Sequence, residues 1–164
     1  MIWPLRDKTV HEAQGLTRGP VAVRRAARRD MAACAAIYLE RRRERFHWLD
    51  PDSLRPGDLQ DDVRGEEIWV AEAHGQVVGF SSMYVAVSFV HNLFVRADWE
   101  GRGVGRLLMD HAVARLDWPV TLKCVVGNAP ARAFYERLGF TEQRRGRSRN
   151  GVEYVLYMAP PPEG

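Results

Sequence analysis

The chain has 164 residues, of which 46% are hydrophobic, and this fits one domain with a real core. Its net charge of +3 suits an anionic ligand, but a nucleic-acid-binding domain generally has a denser basic face. The two cysteines, Cys34 and Cys124, have no metal-ligand spacing, which favours a reducing, cytoplasmic compartment and no metal site. No run approaches the roughly 18 apolar residues of a membrane span, so we expect no membrane partner.

The first predicted elements follow an irregular extension. Residues 1–19 show no hydrophobic period and lack the apolar core of a secretory signal. Residues 21–25 are predicted to form a short strand. Asp30 is predicted to be the N-cap of a helix over residues 31–45. Two prolines within residues 46–58 then predict a loop.

Alternating hydrophobicity predicts three strands in the middle of the chain. They cover residues 67–73, 76–85 and 88–95. His74 and Gly75 fit a tight hairpin turn between the first two strands. A glycine-rich segment follows, and then a helix to about Leu116 whose apolar residues recur at i, i+4.

The last third of the chain predicts a strand, a helix and a hairpin. Residues 120–126 form the predicted strand, and Asn128 is the predicted N-cap of a helix that stops at Gly139. Residues 140–158 are predicted to pair around an Asn150–Gly151 turn of type I′.

The order of these elements, β-α-loop-β-β-β-α-β-α-β-β, indicates the fold class. The central β-α-β unit favours parallel pairing, and the hairpins favour antiparallel pairing. We therefore expect an α+β fold in a single domain over residues 20–160. Its central sheet would be mixed, mostly antiparallel and six- to seven-stranded, with helices on both faces.

The segment EGRGVGR, residues 100–106, places three glycines between a strand and a helix. A helix N-terminus has unpaired N–H groups and a partial positive charge, and glycines let phosphate oxygens approach these groups. The segment can therefore be a pyrophosphate cradle or a plain turn. A dinucleotide fingerprint does not fit, because Leu108 stands where its third glycine belongs, and no Walker-type Gly-Lys-Ser/Thr is present.

Two spaced motifs resemble the Gcn5-related N-acetyltransferase (GNAT) superfamily. EGRGVG at residues 100–105 resembles its acetyl-CoA loop, Q/R-x-x-G-x-G/A, and NAPARAFYERLGF at 128–140 resembles N-x-x-A-x-x-F-Y-x-x-x-G-F. NLFV at 92–95 resembles the family's L-Y-V strand end. Glu100 departs from the usual Gln or Arg, and we expect it to face solvent or to be neutralised by Arg102 or Arg106.

The resemblance implies a GNAT fold and an enzyme that transfers acetyl from the cosubstrate acetyl-CoA to a primary amine by direct attack, without a metal. Family members are often dimers, so a homodimer is one expected assembly. The residues implied to bind acetyl-CoA are Leu93, Phe94 and Val95 along a strand edge, Gly101, Arg102, Gly103, Val104, Gly105 and Arg106 at the phosphates, and Asn128 at the pantetheine.

The resemblance implies two catalytic residues, His91 and Tyr135. Family members often carry Glu or His at the first position, and a neutral imidazole accepts a proton at pH 7, directly or through a water. Tyr135 matches the tyrosine of the F-Y pair and would hydrogen-bond the departing thiolate. Both residues also have an interpretation as packing residues. His47 and Glu72 are lesser alternatives as the base, and Cys124 is interpreted as a buried residue rather than a nucleophile.

The acceptor leaves alternatives open. FHWL at residues 46–49 lies where the family's acceptor site is usually covered, although a packed loop after a solvated, arginine-rich helix end is the favoured interpretation. A small-molecule amine is favoured over a protein or peptide, because no extra docking domain is present. A non-catalytic acyl-CoA sensor is the alternative outside enzymes. The arginine clusters are separated along the chain, so no nucleic-acid partner is expected.

Overall fold

The computed structural model describes residues 20–163, so the predicted irregular extension over residues 1–19 lies outside the described residues. Within the described chain there are seven strands and four α-helices. The strands are β1 (Ala22–Arg25), β2 (Glu67–Ala73), β3 (Gln76–Tyr84), β4 (Phe89–Val95), β5 (Thr121–Val125), β6 (Thr141–Arg147) and β7 (Glu153–Met158). The helices are α1 (Met31–Arg45), α2 (Asp58–Asp62), α3 (Val104–Arg115) and α4 (Ala129–Arg137).

The seven strands form one sheet with the order β1-β2-β3-β4-β5-β7-β6. In this described sheet only β4 and β5 are parallel neighbours, and α3 connects them. The other neighbouring pairs are antiparallel. The predicted mixed, mostly antiparallel α+β sheet is therefore confirmed, while the limits of the domain at residues 20 and 160 stay a prediction.

Helices pack on both faces of the sheet. Successive residues of a strand point to opposite sides, so neighbouring residues of β4 contact different helices. Phe94 of β4 belongs to a core cluster with Cys34 and Tyr38 of α1. Its neighbours Leu93 and Val95 pack against a second cluster that contains residues of α3. The predicted apolar stripe of α3 is confirmed, since its residues Val104, Leu108 and Ala112 are buried.

The His74–Gly75 turn is confirmed, because both residues have positive φ, as a two-residue hairpin of type I′ requires. The Asn150–Gly151 prediction is wrong in its turn type, since Gly151 has positive φ and Asn150 does not. The connection is longer, with Ser148 N donating to Val152 O and Gly151 N donating to Ser148 O.

Asp30 precedes α1 as predicted, but its carboxylate makes no capping hydrogen bond to that helix. Arg24 of β1 donates to both of its oxygens, at 2.8 and 2.9 Å, and the Ala27 N–H donates at 2.6 Å. The carboxylate therefore ties β1 to the turn before α1 instead of capping the helix.

Candidate active site

β4 and β5 separate soon after they begin to pair. Their parallel register contains Phe89 opposite Thr121 and Val90 opposite Leu122, and it ends there. From His91 onward, the β4 edge that faces β5 has no strand partner among the described residues. An extended ligand can hydrogen-bond to such an edge as an added strand does. The edge includes Leu93, Phe94 and Val95, where the pantetheine was expected.

A β-bulge marks the point where the two strands separate. Between the pairs Ser82–Asn92 and Met83–Val90, β4 contains one residue more than β3, and the extra residue is His91. Side chains of successive residues in a regular strand face opposite sides, whereas a bulge changes where they point. His91 Nε2 lies 3.9 Å from Asp62 Oδ2, and Asn92 Nδ2 lies 3.5 Å from the same oxygen. The bulge therefore brings both side chains to the end of α2.

His91 is held by a carboxylate that sequence reasoning missed. Its Nδ1 lies 2.5 Å from Glu66 Oε1, and the Glu66 side chain has no solvent exposure, whereas 31% of the His91 side chain is exposed. The hydrogen bond with Glu66 raises the pKa of His91 above its usual value of 6.5, against the opposing effect of burial. No motif marks Glu66 in the sequence, because only the folded register brings it to a residue 25 positions away.

The glycine segment leads into α3 with its backbone donors unoccupied. Gly101 and Gly103 have φ values of 71° and 80°, which a residue with a Cβ adopts only with strain, and Gly103 directly precedes the helix. Within the described residues, no protein acceptor takes the N–H groups of residues 101–106. The first helical bond is donated by Leu107 N to Gly103 O at 2.9 Å. Six consecutive N–H groups of the described chain therefore have no protein acceptor, and unpaired donors before and within the first turn of a helix are the kind that bind anions.

Gly105 differs from Gly101 and Gly103, because its φ is not positive. A Cβ placed on it would lie 3.4 Å from the ring of Phe134 in α4 and 3.7 Å from the side chain of Val95. Both are ordinary van der Waals distances, so a Cβ at this position fits against α4 and β4 beside the open strand edge.

Glu100 is neutralised, but not by the loop arginines. Its carboxylate accepts close hydrogen bonds from Arg41 and, at 3.0 Å, from Arg45, both on the last turns of α1. Arg102 instead lies over the Trp99 ring, with its guanidinium carbon 5.2 Å from the ring centroid. Arg106 lies 3.9 Å from Asp110 in the next turn of α3. The expected partners of Glu100 were therefore wrong, since this carboxylate joins the loop to α1.

Asn128 and Tyr135 are both positioned by α4. Asn128 caps the helix as predicted, with Oδ1 accepting from Ala131 N at 3.3 Å. The Tyr135 ring packs against Phe140 and Tyr157, at centroid distances of 5.9 and 6.1 Å. Burial raises the pKa of Tyr135 above 10, and a tyrosine hydroxyl is in any case protonated at neutral pH. A protonated phenol can donate to an anion.

Two adjoining hollows lie between the loop after α1 and the β6–β7 turn, and their volumes are about 450 and 460 Å³. Trp48 lines both, and the rest of the lining includes His47, Leu49, Val125, Arg149 and Val152. Trp48 stacks on Phe46 at 4.6 Å, and Phe46 lies 5.8 Å from Phe94 of β4. We name these joined hollows the Trp48 cleft. The aromatic residues at 46–48 thus do more than pack, because Trp48 forms one wall of an open cleft.

The alternative bases, Glu72 and His47, and the alternative nucleophile, Cys124, lie in surroundings that differ from those of His91. Glu72 pairs with Arg24 at 2.5 Å between β1 and β2, and His47 packs edge-on against Trp48 at 5.3 Å. Burial raises the pKa of the Cys124 thiol to about 11, so little thiolate is present at neutral pH. His91 is the histidine at the point where β4 and β5 separate.

The family model described as the acetyltransferase (GNAT) domain matches residues 64–142 of the chain. The chain contains a GNAT acetyltransferase domain. The matched stretch of this GNAT domain contains Glu66, His91, the glycine segment and Tyr135, and the match assigns the chain to the acetyltransferases. Trp48 and the β6–β7 turn lie outside it, so the Trp48 cleft is built mostly from residues that the family model does not match.

Solved structures share the GNAT fold of this chain. Apo YjaB from Escherichia coli is 24% identical with a TM-score of 0.71, over 85% of this chain and 97% of that chain. The ribosomal-protein-S18-alanine N-acetyltransferase from Escherichia coli is 20% identical with a TM-score of 0.65, over 88% and 96%. YncA from Salmonella typhimurium, a putative acetyltransferase solved with acetyl-CoA, is 21% identical with a TM-score of 0.57, over 84% and 92%. No curated protein matches the sequence.

Two further observations concern metals and membranes. In the described part of this GNAT chain, no group of three or more His, Cys, Asp or Glu side chains is placed to hold a metal ion. Across residues 20–163, no helix combines the length and the apolar character that crossing a bilayer requires.

Proposed function

We propose that the chain is an N-acetyltransferase that transfers the acetyl group of acetyl-CoA to a primary amine by direct attack. The gap between β4 and β5 carries this proposal, because one end has the donors of residues 101–106 and the other has His91. A strand rises about 3.3 Å per residue, so His91 and Val95 lie about 13 Å apart along β4. An extended thioester arm fits that arrangement, with its phosphates beside the helix and its acetyl end beside His91.

Each side of the cosubstrate would have its own set of contacts. The N–H groups of residues 101–106 would hold the pyrophosphate, together with Arg102 and Arg106, and the edge at Leu93–Val95 would hydrogen-bond the pantetheine. Asn128, which begins α4, would contact the pantetheine from the other side of the gap. The donors without protein acceptors support this arrangement.

His91 and Tyr135 would move the two protons of the reaction. A primary amine with a pKa of about 10.4 is mostly ammonium at neutral pH, and it must lose a proton before it attacks. We assign that proton to His91, and the approach of the ammonium to Asp62, whose Oδ2 lies 3.9 Å from His91 Nε2. Tyr135, whose phenol is protonated at neutral pH, would donate to the thiolate as it departs.

A small-molecule amine is the favoured acceptor. The Trp48 cleft supports this choice, because its two open hollows of about 450 and 460 Å³ are lined in part by the apolar side chains of Trp48, Val125 and Val152. Protein or peptide acetylation is the alternative, and one neighbour of the same fold is named for acetylating a ribosomal protein. A non-catalytic acyl-CoA sensor is the other alternative.

We also propose that the protein is a cytoplasmic homodimer. Its two cysteines are free and buried, which supports a reducing compartment.

The first experiment measures ligand-dependent melting of the full chain. Acetyl-CoA should raise Tm by mass action, and acetyl-pantetheine, which lacks the phosphates, should raise it less at equal concentration. No shift with millimolar acetyl-CoA would exclude the proposed site.

A second experiment compares acceptors. Small amines and peptides with a free N-terminus compete for acetylation, the products are measured by mass spectrometry, and the small amines should be favoured. A clear preference for the peptides would assign the alternative acceptor.

A further inference from the structure

A tight turn places Glu66 beside His91. The Glu66 N–H donates to Val63 O at 3.0 Å, and Gly65 between them has a φ of 82°. The turn lies between α2 and β2, so two packed elements fix where the Glu66 side chain points. The backbone turn thus sets where the Glu66 side chain starts, and the hydrogen bond to His91 holds its carboxylate.

The Glu66 side chain hydrogen-bonds to His91, and it also lies close enough to the Tyr84 hydroxyl for its charge to raise the pKa of Tyr84. Oε1 lies 2.5 Å from His91 Nδ1, while the buried Oε2 has no hydrogen-bond partner. A buried carboxylate is costly unless it is hydrogen-bonded. An ionised Glu66 accepts hydrogen bonds and donates none, so it favours a hydrogen on Nδ1.

A hydrogen on Nδ1 leaves Nε2 as the basic nitrogen of neutral His91. The charged and polar groups around the imidazole come from three other elements: Asp62 from α2, Lys123 from β5 and Tyr84 from β3. Asp62 is the group beside Nε2, at 3.9 Å, so a nitrogen between the two would contact both. Nε2 therefore has the position at which an incoming ammonium would lose its proton.

We propose that Glu66 is a positioning residue, which fixes the Nδ1–H tautomer of His91 and so makes Nε2 the proton acceptor. The carboxylate does not touch the acceptor or acetyl-CoA, and it acts through the imidazole. This inference rests on the proposed role of His91 as the base. The same proton stays on Nδ1 throughout, while Nε2 takes the ammonium proton and later releases it to solvent.

Nitrogen NMR of the histidine side chains tests the tautomer without any turnover. The chain has five histidines, and the signal that disappears in His91→Gln identifies His91. We expect the Nδ1–H form in the parent chain at a pH where His91 is neutral. Glu66→Gln keeps an oxygen acceptor, so it should keep that tautomer and lower the pKa of His91. Glu66→Leu offers no acceptor, so the Nε2–H form should appear.

The matched control is Asp61→Asn, which removes a carboxylate whose side chain is 79% exposed and pairs with Arg64. It should leave both the tautomer and the pKa of His91 unchanged. An unchanged tautomer in Glu66→Leu, or an unchanged His91 pKa in Glu66→Gln, would overturn the proposal. Since Glu66→Gln conserves volume and an acceptor, it supplies a result even if Glu66→Leu does not fold.

Kinetics separate this inference from the proposed function. With an acceptor in hand, Glu66→Leu should lower kcat by about 10- to 100-fold, with the KM for acetyl-CoA unchanged. Glu66→Gln should recover most of that loss and shift the pH profile to lower pH. If the parent acetylates no amine, the proposed function fails while the tautomer result stands. If the parent is active and both variants match it across pH, the role of Glu66 fails alone.

Discussion

His91 connects the fold to the chemistry at the scale of one residue. Its pKa is raised by Glu66, and a base must be deprotonated, so kcat/KM should rise with pH through an inflection above 6.5. The inflection should be absent in His91→Ala, and kcat/KM of this variant should be about 10²- to 10⁴-fold lower. The measurement is kcat/KM from pH 5 to 9. An inflection at or below 6.5 that persists in His91→Ala would remove His91 as the base.

The same contact makes a contribution to stability with a definite sign. Because the folded-state pKa of His91 lies above its unfolded value of 6.5, the fold favours the protonated imidazole. The contribution is therefore fully present below about pH 6.5 and is lost as pH rises through the folded pKa. The free energy of unfolding can be measured by chemical denaturation of the parent and of Glu66→Gln from pH 5 to 9. The loss of this contribution with rising pH should appear in the parent alone. Parallel curves for the two proteins would contradict this assignment.

Glu100 is the residue at which the loop departs from its family, and the structure explains why the charge is tolerated. Arg41, with a side chain only 8% exposed, and Arg45 both bind its carboxylate. Glu100→Gln restores a residue usual in the family, yet it should leave the Kd for acetyl-CoA within about twofold, because the charge is already compensated. Calorimetry at two salt concentrations checks this. A tenfold gain in affinity would show that Glu100 repels the phosphates.

Residue types in a motif were predictable, but their partners were not. The position of His91 before the loop could be taken from the sequence, whereas Glu66 and Asp62 reach it only through a turn and a bulge. In the same way, Glu100 pairs with Arg41 and Arg45 of α1, which are 59 and 55 positions away in the sequence, and not with an arginine of its own loop. Local spacing identifies contacts inside one element, and long-range contacts depend on the register of the folded sheet.

At the scale of elements, the glycine segment serves the helix that follows it. Gly103→Ala adds a Cβ at a φ of 80°, so it should lower the free energy of unfolding by about 1–2 kcal/mol and weaken acetyl-CoA binding. Gly57→Ala is the matched control, because Gly57 precedes α2 with a φ of −86° and has open space around it. Thermal melting with and without acetyl-CoA measures both effects. An unchanged affinity in Gly103→Ala would indicate a plain turn.

The separation of β4 and β5 could not be predicted from periodicity. Both strands show the apolar patterns of buried strands, and the pattern says nothing about where their pairing ends. The bulge at His91 is invisible for the same reason, because the residue does not differ in type from a paired strand residue. The helices were more predictable, since Asn128 and Gly139 mark the ends of α4 through local chemistry.

The whole molecule depends on the packing of α3 against the sheet. The Leu108 side chain is fully buried among residues of the first three strands, and the cavity left by Leu108→Ala should cost about 2–5 kcal/mol. The adjacent Leu107 is only partly buried, so Leu107→Ala should cost clearly less. Urea denaturation of both variants measures the difference. Equal losses would show that α3 is packed differently from the arrangement described here.

The central claim is that a GNAT chain with this open strand edge, glycine cradle and His91 transfers acetyl to an amine. Thiol release from acetyl-CoA, measured across a panel of primary amines, tests it most directly. We expect release that requires an amine, is accompanied by its N-acetyl product, and falls by at least about 10²-fold in His91→Ala. Acetyl-CoA binding without release for any amine would contradict the claim and indicate a sensor instead.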